Sequence, residues 1–204
     1  EISECLVGSE MCIRDRHNRH PLIHCITNYV SINDCANIVL ACGGAPIMAE
    51  DINEVSQITS ICQGLDINIG MLNDNKLSSM LKAGATANEL GIPVILDPVG
   101  AGSSDYRIKA VQNLMSNVQF GVIRGNVSEI KAIAAKQGIH NIAAGVYETM
   151  QKNKSAMGVE AGIADKITDD NIKEMADFIN KLSQKTGAVI CLLYTSDAAD
   201  EEDS

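Results

Sequence analysis

Between residues 21 and 190 the chain alternates short, β-branched apolar runs with amphipathic stretches of roughly 10–15 residues, and that alternation admits few folds. Leu22–Ile26, Ala45–Ala49, Leu65–Ile69, Val94–Leu96, Gly121–Ile123 and Ala188–Ile190 read as strands. Ser31 is placed to cap a helix running through Cys42, with Asp34 three residues on, and Gly43-Gly44 stop it. Leu77, Met80, Leu81, Ala87 and Leu90 mark the inward face of a second helix that ends at Gly91. Ile108, Val111, Leu114 and Met115 mark a third, and Asn126 caps a fourth with Ile130 and Ile133 inward. Residues 137–165 are Gly- and Ala-rich without a firm period and read as loop and short pieces. Thr168 caps the last helix, with Asp169 and Asp170 in its first turn and a stripe of Ile172, Met175, Ala176, Ile179 and Leu182; Gly187 stops it.

Strands alternating with helices imply βαβ crossovers and a three-layer α/β fold with a mostly parallel central sheet flanked by helices. Ligands of such sheets bind beyond the carboxyl ends of the strands. The residues to weigh are therefore Thr27-Asn28, Met48, Gly70, Asp97 with Gly100 and Gly102, and Arg124 with Asn126.

Composition removes several classes of function. The net charge of −10 argues against a nucleic-acid partner, which needs a basic footprint. The longest uncharged apolar run, Ile38–Ala49, is twelve residues and contains two glycines and a proline, so no membrane span is expected. No basic n-region leads into an apolar stretch at the start, and Cys25, Cys35, Cys42 and Cys62 lack C-x-x-C spacing. They read as buried small hydrophobes in the reducing cytoplasm, without a metal or disulfide role. His17, His20 and His24 are broken up by Pro21 and, like the isolated His140, read as surface or core-edge residues.

Two constellations remain. Asp97-Pro-Val-Gly-Ala-Gly102 is no dinucleotide fingerprint, because Asp105 stands at the third glycine position, and no Gly-Lys pair offers a P-loop. Asp97 is either a turn former before Pro98 or a carboxylate beside a loop that lets backbone approach a ligand. In Arg124-Gly-Asn-Val-Ser-Glu129 the spacing describes a capping box between Asn126 and Glu129. The same geometry suits the water shell of Mg²⁺, with Arg124 alongside for polyphosphate. Met48 is either core or a contact for an apolar ring.

The two ends look foreign to this pattern. ECLVGSEMCIRDR near the start and CLLYTSDAADEEDS at the finish are similar to translated sequencing-adapter read-through at the ends of assembled gene fragments. The chain is accordingly divided into a non-native-looking segment 1–16, an incomplete domain 17–190 and a non-native-looking acidic tail 191–204.

PLIHCITNYVSINDCANIVLACGGAPIMAEDINEV, LDINIGML, GIPVILDPVGAG and VIRGNVSEI, in that order, resemble the hydroxyethylthiazole kinases, a ribokinase-like family, from about His20 to Ile190. The resemblance implies a ribokinase-like fold whose C-terminal part is missing here. It also implies ATP-dependent phosphorylation of the alcohol of 4-methyl-5-(2-hydroxyethyl)thiazole in thiamine biosynthesis or salvage. By the same resemblance Met48, Asn28 and Gly70 bind the thiazole, and Arg124 and Asn126 bind ATP. Asp97 and Glu129 are catalytic and hold Mg²⁺ through water, and a homotrimer is implied. The family's Gly-Thr-Gly-Cys anion hole is not among these 204 residues, and neither Cys191 nor Thr195 is assigned its role, so this chain is expected to be inactive. The alternatives are a non-catalytic thiazole- or partner-binding protein and a related ribokinase-like vitamin kinase.

Overall fold

A computed structural model of the chain describes residues 20–136 and 172–193. His17, His140, the loop 137–165, the Thr168 cap and most of both terminal segments lie outside the described residues. The strands are β1 (Leu22–Ile26), β2 (Ala45–Ile47), β3 (Gly64–Asn68), β4 (Val94–Asp97), β5 (Val122–Asn126) and β6 (Val189–Leu193). The helices are α1 (Ile32–Ala41), α2 (Val55–Ile61), α3 (Asp74–Glu89), α4 (Asp105–Asn117), α5 (Val127–Lys136) and α6 (Ile172–Thr186). The strands form one parallel sheet, ordered β2-β1-β3-β4-β5-β6 and flanked by helices, which is the α/β class expected. Registers such as His24 opposite Ile47, Cys25 opposite Asp66 and Arg124 opposite Cys191 fix the pairing.

The chain divides into two compact units, Glu1–Leu96 with Asn117–Gln119, and Asp97–Ser116 with Phe120–Ser204. In the first, Ile26, Leu65, Ile67 and Leu96 are buried strand residues and Ile69 is buried just beyond β3, met from the helices by Val55, Met80 and Ala83. Near-continuous apolar strands are what a sheet covered on both faces requires. Gly84 of α3 lies so close to Val118 that an added Cβ would stand 2.5 Å from its Cγ2. A helix-interior glycine costs conformational entropy, and here close packing is what it permits. In the second unit Leu114, Phe120, Ile123, Ile130, Phe178 and Leu182 are buried.

Two helix ends follow the glycine rule closely. Gly43 and Gly91, at φ 83° and 68°, each donate to the carbonyl three residues back, Leu40 and Asn88. The residues after them, Gly44 and Ile92, reach back to Val39 and Ala87, which completes Schellman motifs. Other expectations need correction. Ser31 precedes α1, but its hydroxyl donates to Asn28 Oδ1 at 3.0 Å and makes no cap bond to the helix. Leu90 caps α3 from outside its last turn and is 56% exposed. The inward face of α6 is Met175, Phe178 and Leu182; Ile172 and Ala176 are exposed, because the larger aromatic side chain takes the core. Cys42 is exposed and Cys35 only half-buried.

Helix α2 has no counterpart in the sequence reading. Its Val55, Ile58, Thr59 and Ile61 are β-branched, poor helix formers taken singly. Burial of Val55 and Thr59 one turn apart decides the conformation, and the Thr59 hydroxyl donates to the Val55 carbonyl at 2.7 Å. Thr59 also meets His24, which is fully buried and not at the core edge. His24 Nε2 lies 2.7 Å from the Ala49 carbonyl and Nδ1 2.9 Å from Thr59 Oγ1. A carbonyl only accepts, so Nε2 carries the proton of the neutral ring, and Nδ1 faces the Thr59 oxygen, whose single proton is shared between it and the Val55 carbonyl.

Burial lowers the His24 pKa below its ordinary 6.5, against upward pulls from the Ala49 carbonyl and the Glu54 charge. The unfolded chain therefore takes up this proton first as pH falls. The stabilisation is complete above the unfolded pKa and is lost as pH drops from there towards the folded value. The urea midpoint should fall between about pH 7.5 and about pH 5.5, and part of that fall should vanish in His24→Gln. Identical pH slopes for the two proteins would remove His24 from the account.

Candidate functional site

In the first unit the expected residues gather at the carboxyl ends of β1, β2 and β3. Asn28 lies two residues beyond β1 and is the hub of its loop. Its Oδ1 accepts from the Ser31 N–H at 2.9 Å and from the Ser31 hydroxyl, so the turn into α1 is tied to this side chain. Its Nδ2 donates to Asn68 Oδ1 at 3.3 Å, and the same oxygen accepts the Gly70 N–H at 2.8 Å. Asn28 and Gly70 are thus brought together through Asn68, the buried last residue of β3. A Cβ at residue 70 would stand 2.9 Å from Asn68 Oδ1 and 3.0 Å from Asn28 Nδ2, which is why glycine stands there. Met48 follows β2 directly and is half-buried.

A lysine that looks like a helix-surface charge completes this region. Lys76, in the first turn of α3, is 4% exposed. Its ammonium donates to the Thr27 carbonyl at 2.5 Å, pairs with Glu50 at 2.9 Å and lies 4.7 Å from the centre of the Tyr29 ring. A buried ammonium needs such compensation on several sides. Burial pushes the Glu50 carboxyl up, but its hydrogen bonds to Lys76 and Tyr29 and the Lys76 charge carry it below its ordinary value. The Tyr29 hydroxyl, which donates to Glu50, is pushed up by that bond. Lys76 and Glu50 therefore fasten the segments that carry Asn28 and Met48.

The second unit holds the other group. Asp97 ends β4, and its Oδ2 pairs with Arg124 Nη1 of β5 at 3.2 Å. Arg124 is half exposed, so the pair adds at most about 1 kcal/mol to stability, yet it fixes where the guanidinium points. The Asn126–Glu129 capping box is present in full. Asn126 Oδ1 accepts the Glu129 N–H and Glu129 Oε2 accepts the Asn126 N–H, both at 2.9 Å.

Glu129 does more than cap. Its Oε1 accepts the Gly100 N–H at 2.8 Å, which moors the loop after β4 to the start of α5. Gly100 sits at φ 66°, and Arg107 Nη1 donates to the Val99 carbonyl at 2.8 Å, so the loop is held from two sides. Gly125 makes room for this: a Cβ there would lie 3.1 Å from Glu129 Oε2. The glycine inside Arg-Gly-Asn is thus explained by the carboxylate four residues on.

Asn68, Lys76, Glu50, Gly125 and Arg107 are missing from the sequence reading. Only Gly125, inside an already suspect motif, left a sequence signal. The capping role makes a measurable demand. Glu129→Ala leaves the Gly100 and Asn126 N–H groups without their acceptor and should cost about 2 kcal/mol or more in urea unfolding. Glu129→Gln, which keeps one acceptor oxygen, should cost less. A loss below about 0.5 kcal/mol for Glu129→Ala would mean the box does not support the fold.

With this geometry in view, comparison with known proteins gives a consistent answer. Residues 13–192 match the model of the hydroxyethylthiazole kinase family. A hydroxyethylthiazole kinase of Clostridium acetobutylicum is 53% identical over 173 residues, which cover 85% of this chain and 58% of that protein. One from Methanobrevibacter smithii is 45% identical, covering 85% of this chain and 57% of its own length. Among solved structures, the hydroxyethylthiazole kinase protein of Pyrococcus horikoshii OT3 superposes with a TM-score of 0.60 at 37% identity, covering 68% of this chain and 52% of that one. The chain thus spans a little over half the length of the curated relatives it matches. On these matches, and on the parallel α/β sheet they share, the chain belongs to the hydroxyethylthiazole kinase family.

Proposed function

We propose that this protein works in the ATP-dependent phosphorylation of the primary alcohol of 4-methyl-5-(2-hydroxyethyl)thiazole, a step of thiamine biosynthesis or salvage in the cytoplasm. The observation that carries the reading is the pair between Asp97, at the end of β4, and Arg124 of β5, with the moored Glu129, in a chain of this family. Phosphoryl transfer asks a protein mainly for positioning and for stabilisation of spread negative charge. A half-exposed guanidinium held in place by a carboxylate offers fork-shaped donors to a polyphosphate. Asn126 stands beside it, two residues along β5. In the first unit, Asn28 and Gly70 offer a polar, sterically tight floor and Met48 a polarisable surface for an aromatic ring such as a thiazole.

Asp97 and Glu129 suit Mg²⁺ through its water shell. Each carboxylate is already engaged, one with Arg124 and the other with two backbone N–H groups, and each retains acceptor capacity for coordinated water. Mg²⁺ held there supplies neutralisation of charge on the transferring phosphoryl. Arg124 and Asp97 orient the nucleotide, while Glu129 keeps the loop after β4 in place. The homotrimer reading has support of its own kind. Helix α1 has no buried residue, and Tyr29, Val30, Ile38 and Leu40 in and before it are exposed apolar side chains.

Thiazole-dependent ADP release tests the reading, run against a panel of thiazole, pyrimidine and sugar alcohols. The 204-residue chain, which holds no Gly-Thr-Gly-Cys segment, should bind the thiazole alcohol with little turnover. In the protein extended to its relatives' length, Arg124→Ala should lower kcat/KM for ATP by about tenfold or more at unchanged thermal midpoint. Faster turnover of a pyrimidine or sugar alcohol would favour a related vitamin kinase instead. Thiazole binding without turnover in the extended protein would favour the non-catalytic alternative. Sedimentation should show a trimer, and Ile38→Glu should shift it towards monomer.

A further inference from the structure

Away from the strand-end groups, three side chains with metal-ligand chemistry converge in the first unit. Cys25 is buried in β1 and stands opposite Asp66 of β3 in the parallel register, so both side chains leave the sheet on the same face. Cys35 comes from the first turn of α1, where its N–H bonds to the Ser31 carbonyl. The two Sγ atoms and a carboxylate oxygen of Asp66 all lie within 4.8 Å of one another. A tetrahedral cation with metal–sulfur bonds of about 2.3 Å and a metal–oxygen bond of about 2.1 Å sets its ligand atoms roughly 3.5–3.8 Å apart. Closing the gap takes at most an ångström or so per pair, within the reach of side-chain rotation.

We infer that Cys25, Cys35 and Asp66 form a binding site for one thiophilic divalent cation of the Zn²⁺ and Cd²⁺ class, with the fourth position left to water or an outside ligand. Two sulfurs and one oxygen give the softness that selects such ions over Mg²⁺ and Ca²⁺, which want oxygen alone. The three ligands come from three elements, so the ion ties the start of α1 to β1 and β3. Without metal both thiols rest protonated. Burial pushes the Cys25 thiol well up, with further pushes from Asp66 and Cys35, and burial and Asp66 push Cys35 up. Coordination sends both thiol protons to solvent as the cation takes their place. Nothing in this assignment depends on the phosphoryl-transfer reading.

The test uses the full 204-residue chain with Cys5, Cys12, Cys42 and Cys191 replaced by serine, leaving Cys25, Cys35 and Cys62. Cd²⁺ is titrated against the ultraviolet thiolate-to-metal charge-transfer band, and the thermal midpoint is followed alongside. Expected are saturation at one equivalent, a raised midpoint, and loss of affinity by about tenfold or more in both Cys35→Ser and Asp66→Asn. These two half-buried positions are chosen because Cys25→Ser risks the core of β1. A parent protein without the one-equivalent step, or a Cys35→Ser curve that overlays the parent's, overturns the site. Unchanged binding in Asp66→Asn overturns the three-ligand assignment.

Discussion

The carboxylate of Glu129 is the contact on which the second unit's strand-end geometry depends. A helix start leaves backbone N–H groups without intrahelical partners, and a loop turning back from a strand leaves others. One side chain answers both needs, accepting from Asn126 at the head of α5 and from Gly100 in the loop after β4. The arrangement demands glycine at two places for different reasons. Gly100 supplies a left-handed backbone, and Gly125 supplies the space into which the carboxylate fits. The spacing from Arg124 to Glu129 is therefore one mechanical unit. Arg124 and Asp97 can present charge outward because Glu129 holds the backbone behind them.

The first unit solves the same problem with amides and a buried cation. Asn68 shares one oxygen between the Asn28 amide and the Gly70 N–H, so two strand ends are joined by a single acceptor. Lys76 gathers the Thr27 carbonyl, the Glu50 carboxylate and the Tyr29 ring. A pair between a buried ammonium and a partly exposed carboxylate adds little net stability, since desolvation offsets its attraction, but removing the carboxylate leaves the buried charge less compensated. That asymmetry makes such a cluster a locator more than a stabiliser. It specifies one placement of the loops after β1 and β2, because any other strands the ammonium.

What was legible in the sequence was whatever local chemistry decides. Leu22–Ile26 reads as a strand and is one, residue for residue, because a buried parallel strand writes itself as an apolar run. Gly43, Gly91 and Gly187 read as stops because a left-handed helix end needs glycine, and each sits at positive φ. The Asn126–Glu129 box was legible for the same reason: its spacing is its mechanism. Distant partners were illegible. Lys76 has the look of a solvated helix charge until Glu50 and Tyr29 arrive from elsewhere in the chain. Helix α2 reads against its own propensities and forms because Val55 and Thr59 are buried against other elements. His24 reads as an edge residue because nothing near it in sequence shows the Ala49 carbonyl and Thr59 hydroxyl that meet its ring.

The candidate site was legible as a set of positions but not as a mechanism of placement. The rule that ligands bind beyond the carboxyl ends of parallel strands singled out Asn28, Met48, Gly70, Asp97 and Arg124 from their distance to a strand end alone. It could not say why a side chain at such a position would hold still, since a strand end in solvent is a mobile place. The structure supplies that reason through residues one step behind, namely Asn68 for Asn28 and Gly70, Lys76 for the loops around Asn28 and Met48, and Glu129 for the loop after Asp97. Each of these supports is at least nine-tenths buried, whereas Asn28, Met48 and Arg124 are not. Burial lets a hydrogen bond or ion pair fix geometry, because water no longer competes for the same partners. Exposure lets the outer residue meet a ligand. The division of labour between the two follows from dielectric surroundings, and it explains why the supports hide among ordinary core and helix positions in the sequence.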